Sequence, residues 1–387
     1  MRYAILPAAA AVLTVAVAAP VHADERSASF GLRVGEGGVL LKDGRPWRGV
    51  GVNYFDLFAR TLRDEGDTSY RNGLAALGER GIPFARFMCG GFWPADWRLY
   101  REDRAAYFRR LDAVLAAAEK HGVGLIPSLF WHVPTVPDLV GEPCSAWGDT
   151  ASATHGFMRT YVREVVTRYR ASPAVWGWEF GNEYNLAADL PNAARHRPKT
   201  VPRLGTPETR SARDDLTREM IRTAFAAFAR EVRRHDPHRI ITTGNSIPRP
   251  SAWHQVHEGT WGRDTPAQFA EILPADHPDP VNVISVHGYR ENVERIAPAA
   301  EVAREAGKPL FVGEFGVQGP ATPGNRKAFE RFLEEIDRCG VPMAALWVYD
   351  YARQAEWHVT ASNERSWQLD AIAASNARLR ERPLHQR

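Results

Sequence analysis

The chain has 387 residues, 44% hydrophobic and 25% charged, an ordinary globular balance that can bury a large core without disulfide or metal staples. Lysine and arginine number 49 against 46 acidic residues, a formal net charge of +3. The basic residues are scattered, which argues against a nucleic-acid footprint.

Arg2, an apolar stretch from Ala4 to Ala19 and the small-x-small site Val21-His22-Ala23 form the pattern of a secretory signal peptide over residues 1–23. The apolar run is short for a membrane span, and no second one follows. The mature chain, 24–387, contains no low-complexity linker, so a single secreted, monomeric domain is expected, with no membrane partner after cleavage.

The mature chain alternates short apolar runs with amphipathic stretches, the signature of βα units around a parallel sheet. Val39-Leu40-Leu41 with Lys42-Asp43-Gly44 reads as a small hairpin covering a barrel floor. Strand one is Arg48–Asn53, followed by a helix over 70–80. Strand two is Pro83–Met88, followed by a helix over 104–121 with Phe108, Leu111, Val114 and Leu115 at helical spacing. Strand three is Gly124–Phe130, with a helix over 153–170. Strand four is Val175–Gly181, followed by a polar, proline-bearing insertion over 185–210 and a helix over 213–235. Strands five to eight are Arg239–Thr243, Val281–Val286, Pro309–Gly313 and Met343–Val348. Helices are expected over 293–306, 326–339 and 370–379. Eight such units predict an α/β fold, one (β/α)8 TIM barrel with a small N-terminal hairpin and extended βα loops. A doubly wound sheet is the alternative, but its phosphate-binding turns are absent: Gly35-Glu36-Gly37-Gly38 does not continue as GxGxxG, and no Walker A motif occurs.

Catalytic groups of such barrels cluster at the C-terminal strand ends. Those ends present Asn53, Arg86 with the following Trp93, Trp131-His132, Asn182-Glu183-Tyr184, Asn245, His287-Gly288-Tyr289, Glu314 and Trp347. Glu183 and Glu314, on opposite sides of the ring, form the pair that glycoside hydrolysis needs: one acid for the leaving oxygen, one nucleophile or base. Arg86 and Tyr289 are expected to hold Glu314 ionised, Asn182 to bind a sugar hydroxyl, and His287 to tune Glu183. Asn53, Trp93, Trp131, Tyr184, Trp253, Trp261 and Trp347 are candidate sugar contacts. Glu179, in mid-strand, is read as a structural partner of Arg86, because a buried charge needs one. Trp176 and Trp178 are read as packing.

The chain resembles glycoside hydrolase family 5 of clan A, the cellulase and β-mannanase group, over residues 31–352. Trp176-Gly-Trp-Glu-Phe-Gly-Asn-Glu183 is similar to that family's acid/base motif, and Phe311-Val-Gly-Glu-Phe-Gly316 to its nucleophile motif. Arg86, His287-x-Tyr289, Trp347 and, more loosely, His132 match further family positions. The resemblance implies retaining hydrolysis of a β-linked polysaccharide or oligosaccharide, without cofactor or metal. Gly-Asn-Glu leans towards mannan over glucan.

A non-catalytic sugar-binding barrel is the alternative. No lysine stands at a strand end for Schiff-base chemistry, since Lys308 precedes strand seven on the opposite face, and no GxSxG elbow occurs. The three cysteines, Cys89, Cys144 and Cys339, show no zinc spacing. An odd number leaves at least one thiol free, with a Cys89–Cys144 disulfide conceivable after export.

Overall fold

The structure is a computed structural model that describes residues 31–381; the expected signal peptide lies outside the described residues. Three short strands, β1 (Leu32–Val34), β2 (Leu40–Lys42) and β3 (Arg45–Pro46), form the expected antiparallel hairpin sheet. Eight parallel strands follow: β4 (Gly49–Asn53), β5 (Phe84–Met88), β6 (Gly124–Phe130), β7 (Gly177–Gly181), β8 (Ile240–Thr242), β9 (Ile284–Gly288), β10 (Leu310–Phe315) and β11 (Met343–Leu346). Their order, β8-β7-β6-β5-β4-β11-β10-β9, is that of a sheet curling on itself. At the β8–β9 seam the Ile241 carbonyl accepts from Asn282 N at 3.2 Å and Val283 N at 3.1 Å. The Asn282 side chain accepts from Ile241 N at 2.8 Å, so it supplies an acceptor where the short β8 ladder runs out. The result is a (β/α)8 TIM barrel.

All eight barrel strands are buried along their length, which is why they read as near-continuous apolar runs. At the floor, Phe84, Ile126, Ile240, Val283, Phe311 and Met343 pack with Leu32 and Leu40 of the hairpin, so the hairpin plugs the barrel. Trp176 joins this layer against Trp47, ring centroids 5.3 Å apart, and Trp178 donates to Asp236 at 2.9 Å; both tryptophans are structural. Two residues further along the same strands stand Arg86, Ser128, Thr242 and Ser285, all buried. The two-residue period of a strand thus turns the barrel interior from apolar to polar towards its C-terminal end.

The major helices carry local start and stop signals. Asp103 accepts from Ala106 N ahead of the helix Arg104–His121, and Gly122 ends it at φ 66°. Thr217 caps Arg218–His235. The polar insertion before that helix is tied down by Arg210, which makes a bidentate pair with Asp138 at 2.6 and 2.7 Å. Short helices over Ala59–Arg63, Thr135–Val140, Ala252–Glu258 and Pro266–Ala275 lie in stretches that the sequence pattern leaves as loop.

The three cysteines are free thiols, so the conceivable Cys89–Cys144 disulfide does not form. Cys89 lies 3.9 Å from the Tyr161 hydroxyl, and burial pushes its thiol up to about 12. Among the described residues, no helix is long and apolar enough to cross a membrane.

Candidate active site

Arg86 organises the mouth of the barrel. Its side chain is fully buried. Nε donates to Glu179 Oε1 at 2.7 Å, Nη1 to Asn53 Oδ1 at 2.9 Å and Glu314 Oε1 at 2.9 Å, and Nη2 to Asn182 Oδ1 at 2.7 Å. The guanidinium also lies 4.4 Å from the centroid of the Trp131 ring. Glu179 is therefore the structural partner its mid-strand position suggests.

Glu314 lies inside β10, not beyond its end. Val312 pairs with Val286 and Glu314 with the next residue, His287, so Gly313 is an extra residue in the ladder. This bulge re-aims the following side chain, and Glu314 reaches the polar interior. Its second oxygen accepts from the Tyr289 hydroxyl at 2.5 Å.

Glu183 follows β7 in the left-handed region, φ 55°, which costs a non-glycine residue about 1 kcal/mol or more. Its backbone N–H donates to Gly244 O at 2.9 Å. Gly244 is itself left-handed, and a Cβ there would meet Gly181 O at 1.9 Å; only glycine fits this crossing. The Glu183 carboxylate contacts His287 Nδ1 at 2.9 Å, and His287 Nδ1 stands 3.6 Å from Glu314 Oε2. One oxygen of each glutamate and the histidine nitrogen all lie within 4.8 Å of one another. These three groups are near enough to hold a cation, but both oxygens of Glu314 already have donors in Arg86 and Tyr289.

Burial pushes the Glu183 carboxyl up, but the hydrogen bond and charge of His287, a Ser246 hydrogen bond and Arg86 together bring it below its ordinary value. At Glu314 burial prevails: it and the negative charge of Glu183 hold this carboxyl above its ordinary value, against His287, Arg86 and Tyr289. Burial, then the adjacent Glu314, raise Tyr289 well above the usual phenol value, so it remains a donor. His287 Nε2 is buried without a partner.

A hollow of about 430 Å³ opens over the two glutamates, within the range of small-ligand sites. Its walls include Trp131, Asn182, Glu183, Tyr289, Glu314 and Trp347, as expected from strand ends, and also Phe55, Phe92, Tyr351, Gln354 and Trp357. Phe92 belongs to the run Gly90-Gly91-Phe92-Trp93 into which strand two passes; Phe55, Tyr351, Gln354 and Trp357 carry no strand-end signal, although Tyr351 and Trp357 follow Trp347 and Tyr349 in an aromatic run. Trp347 donates to Gln354 at 2.7 Å, and Tyr289 and Trp357 meet edge to face at 5.2 Å.

Several expected contacts are elsewhere. Asn53 is fully buried and spends its amide on Arg86 and on Gly313 O at 2.8 Å, so it braces the strands and reaches no ligand. Tyr184 is also fully buried, with its hydroxyl on Phe130 O at 2.8 Å. Trp253 lies on a peripheral helix with its indole N–H on Glu271, and Trp261 is 50% exposed; neither lines the hollow. Trp93 packs edge-on against Phe92 and His132. His132 stacks on Phe92 at 4.3 Å and bonds its carbonyl at 3.1 Å. Burial brings it down to about 4, so it is neutral and supports Phe92 from behind.

A TIM barrel whose C-terminal mouth holds two facing glutamates, braced by an arginine and a tyrosine, has the architecture of a carboxylate-pair barrel enzyme. The profile of the cellulase family (glycosyl hydrolase family 5) matches residues 72–353, and the chain belongs to that family. Mannan endo-1,4-β-mannosidase F of Aspergillus clavatus is 24% identical over 228 residues, 54% of this chain. The match spans only 44% of that relative's length. A probable mannan endo-1,4-β-mannosidase F of Aspergillus flavus is 41% identical over 83 residues, 19% of this chain and 17% of its own. In fold, the endo-1,4-β-mannanase of Rhizomucor miehei superposes with a TM-score of 0.65 at 15% identity, covering 91% of this chain and all of that one.

Proposed function

We propose that this chain is a secreted, retaining β-glycoside hydrolase acting on β-1,4-mannan-type chains, with Glu314 as nucleophile and Glu183 as acid/base. The carrying observation is that one oxygen of Glu183 and one of Glu314 lie within 4.8 Å of each other, with His287 Nδ1 between the two residues, which favours the closer of the two known spacings. Retaining enzymes hold the pair about 5–5.5 Å apart, whereas inverting ones leave about 6.5–9.5 Å for a water.

Glu314 attacks the anomeric carbon while Arg86 and Tyr289 hold its charge. Glu183 protonates the departing glycosidic oxygen, then takes a proton from the water that hydrolyses the glycosyl-enzyme. His287 Nδ1, 2.9 Å from the Glu183 carboxylate and 3.6 Å from Glu314 Oε2, bridges the pair. Asn182, with its amide oxygen on Arg86, turns its NH2 group to a sugar hydroxyl, and Trp347 offers a ring face. The mannan preference follows the names of the relatives, and the mature domain is taken as residues 24–387. Release of oligosaccharides from β-mannan, with far less from carboxymethylcellulose and β-1,3-glucan, is the expected result. A barrel that only binds sugar would release none.

A further inference from the structure

We propose that Arg60, which stands outside the hollow, is the positioning residue for its aromatic wall and fixes Phe55 and Tyr351 in the arrangement that substrate meets. The proposal rests on the hydrolase reading above. Arg60 belongs to the short helix after β4, and its side chain is 9% exposed. Its guanidinium spans two loops. Nη2 donates to Asp56 Oδ1 at 2.6 Å and to Asp350 O at 2.8 Å, and Nη1 to Asp350 Oδ2 at 2.8 Å and Ser69 Oγ at 2.9 Å.

The loop after β11 depends on this clamp. Asp350 is left-handed at φ 51°, a conformation that costs a non-glycine residue about 1 kcal/mol or more and persists only where its surroundings hold it. Besides Arg60, the Tyr54 hydroxyl donates to Asp350 Oδ2 at 2.6 Å, and Asp350 N donates to Val359 O at 2.8 Å. The guanidinium also lies 4.9 Å from the centroid of the Tyr54 ring.

The two clamped aspartates are the chain neighbours of wall residues: Asp56 follows Phe55, and Asp350 precedes Tyr351. Phe55 and Tyr351 meet edge to face with ring centroids 4.9 Å apart. Phe55 also meets Trp131 at 4.9 Å and Trp347 at 6.0 Å, and all four rings wall the hollow. One planar fork thus ties together the two loops that bring this wall to the mouth of the barrel, and a lysine ammonium, a single point charge, cannot reproduce that geometry. The donors to Glu183 and Glu314 are other residues, His287, Arg86 and Tyr289. Loosening the clamp therefore displaces the wall and leaves the carboxylate pair in place.

Arg60→Lys keeps the cation and loses the fork. With β-1,4-mannopentaose as substrate it should raise KM about tenfold and leave kcat within about twofold, the mark of lost binding and not of lost chemistry. A purely structural role would instead lower kcat through a smaller folded fraction, which thermal melts measure, with KM unmoved. Asp350→Asn tests the same clamp with a side chain that tolerates the left-handed backbone, and should raise KM in the same way. In a Tyr351→Ala background, where the wall is already broken, Arg60→Lys should add less than about twofold, because residues acting through one another are not additive. An unmoved KM in both single variants, or a tenfold penalty that persists in the Tyr351→Ala background, overturns the positioning role and leaves the hydrolase reading intact. If the intact protein cleaves neither mannopentaose nor mannan, both readings fail.

Discussion

The Tyr289 hydroxyl lies 2.5 Å from Glu314 Oε2, a phenol donating to a buried carboxylate that burial otherwise drives towards protonation. Removing it in Tyr289→Phe raises the Glu314 pKa further. Activity requires the ionised form, so the acidic limb of kcat/KM against pH should move up by about one pH unit. An unmoved limb would mean that Tyr289 does not set the charge of Glu314.

Glu314 is expected to cost the protein stability. Its pKa is raised in the folded state, so its favourable contribution is present below the ordinary carboxylate pKa and is lost as pH rises through the folded value. Glu314→Gln should therefore raise the melting temperature at neutral pH, with the gain vanishing near about pH 4, where the native side chain is protonated too. Thermal melts of both proteins across that range are the check; equal melting temperatures at neutral pH would refute it.

Arg86 neutralises two buried carboxylates, Glu179 and Glu314. Arg86→Met leaves both without their cation and should cost about 3–5 kcal/mol. Urea denaturation measures this. Combining Arg86→Met with Glu179→Gln should recover part of the loss, because one stranded charge disappears.

Tyr184 separates a structural role from a binding one. Tyr184→Phe deletes the bond to Phe130 O and should cost about 1–3 kcal/mol for the buried carbonyl left unpaired, with KM unchanged. A raised KM at unchanged stability would return Tyr184 to the sugar-binding surface.

Much of the fold was legible because the pattern of buried strands and amphipathic helices repeats eight times, and strand ends mark the catalytic face. Arg86, Asn182, Glu183, His287, Tyr289, Glu314 and Trp347 converge as their positions suggest. Direction was less legible. Asn53 and Tyr184 stand at strand ends like Glu183 and Tyr289, but one turns into the strand interior and the other under its loop, and no residue pattern records that turn. The bulge at Gly313 places Glu314 within its strand, a register detail invisible before the β9–β10 ladder is known. Phe55, Phe92, Tyr351 and Gln354 enter the hollow from irregular loops, whose paths depend on tertiary contacts such as the bond from Trp347 to Gln354.

The central claim is that Glu314 is the nucleophile and Glu183 the acid/base, and its most direct test is the anomer formed in azide. Glu314→Ala should lose hydrolysis of an activated aryl β-mannoside and regain turnover in sodium azide, releasing the α-mannosyl azide, because azide attacks from the face the carboxylate vacated. Glu183→Ala should instead yield the β-mannosyl azide through an intact glycosyl-enzyme. A β-azide from Glu314→Ala, or near-full activity of that variant without azide, would contradict the assignment.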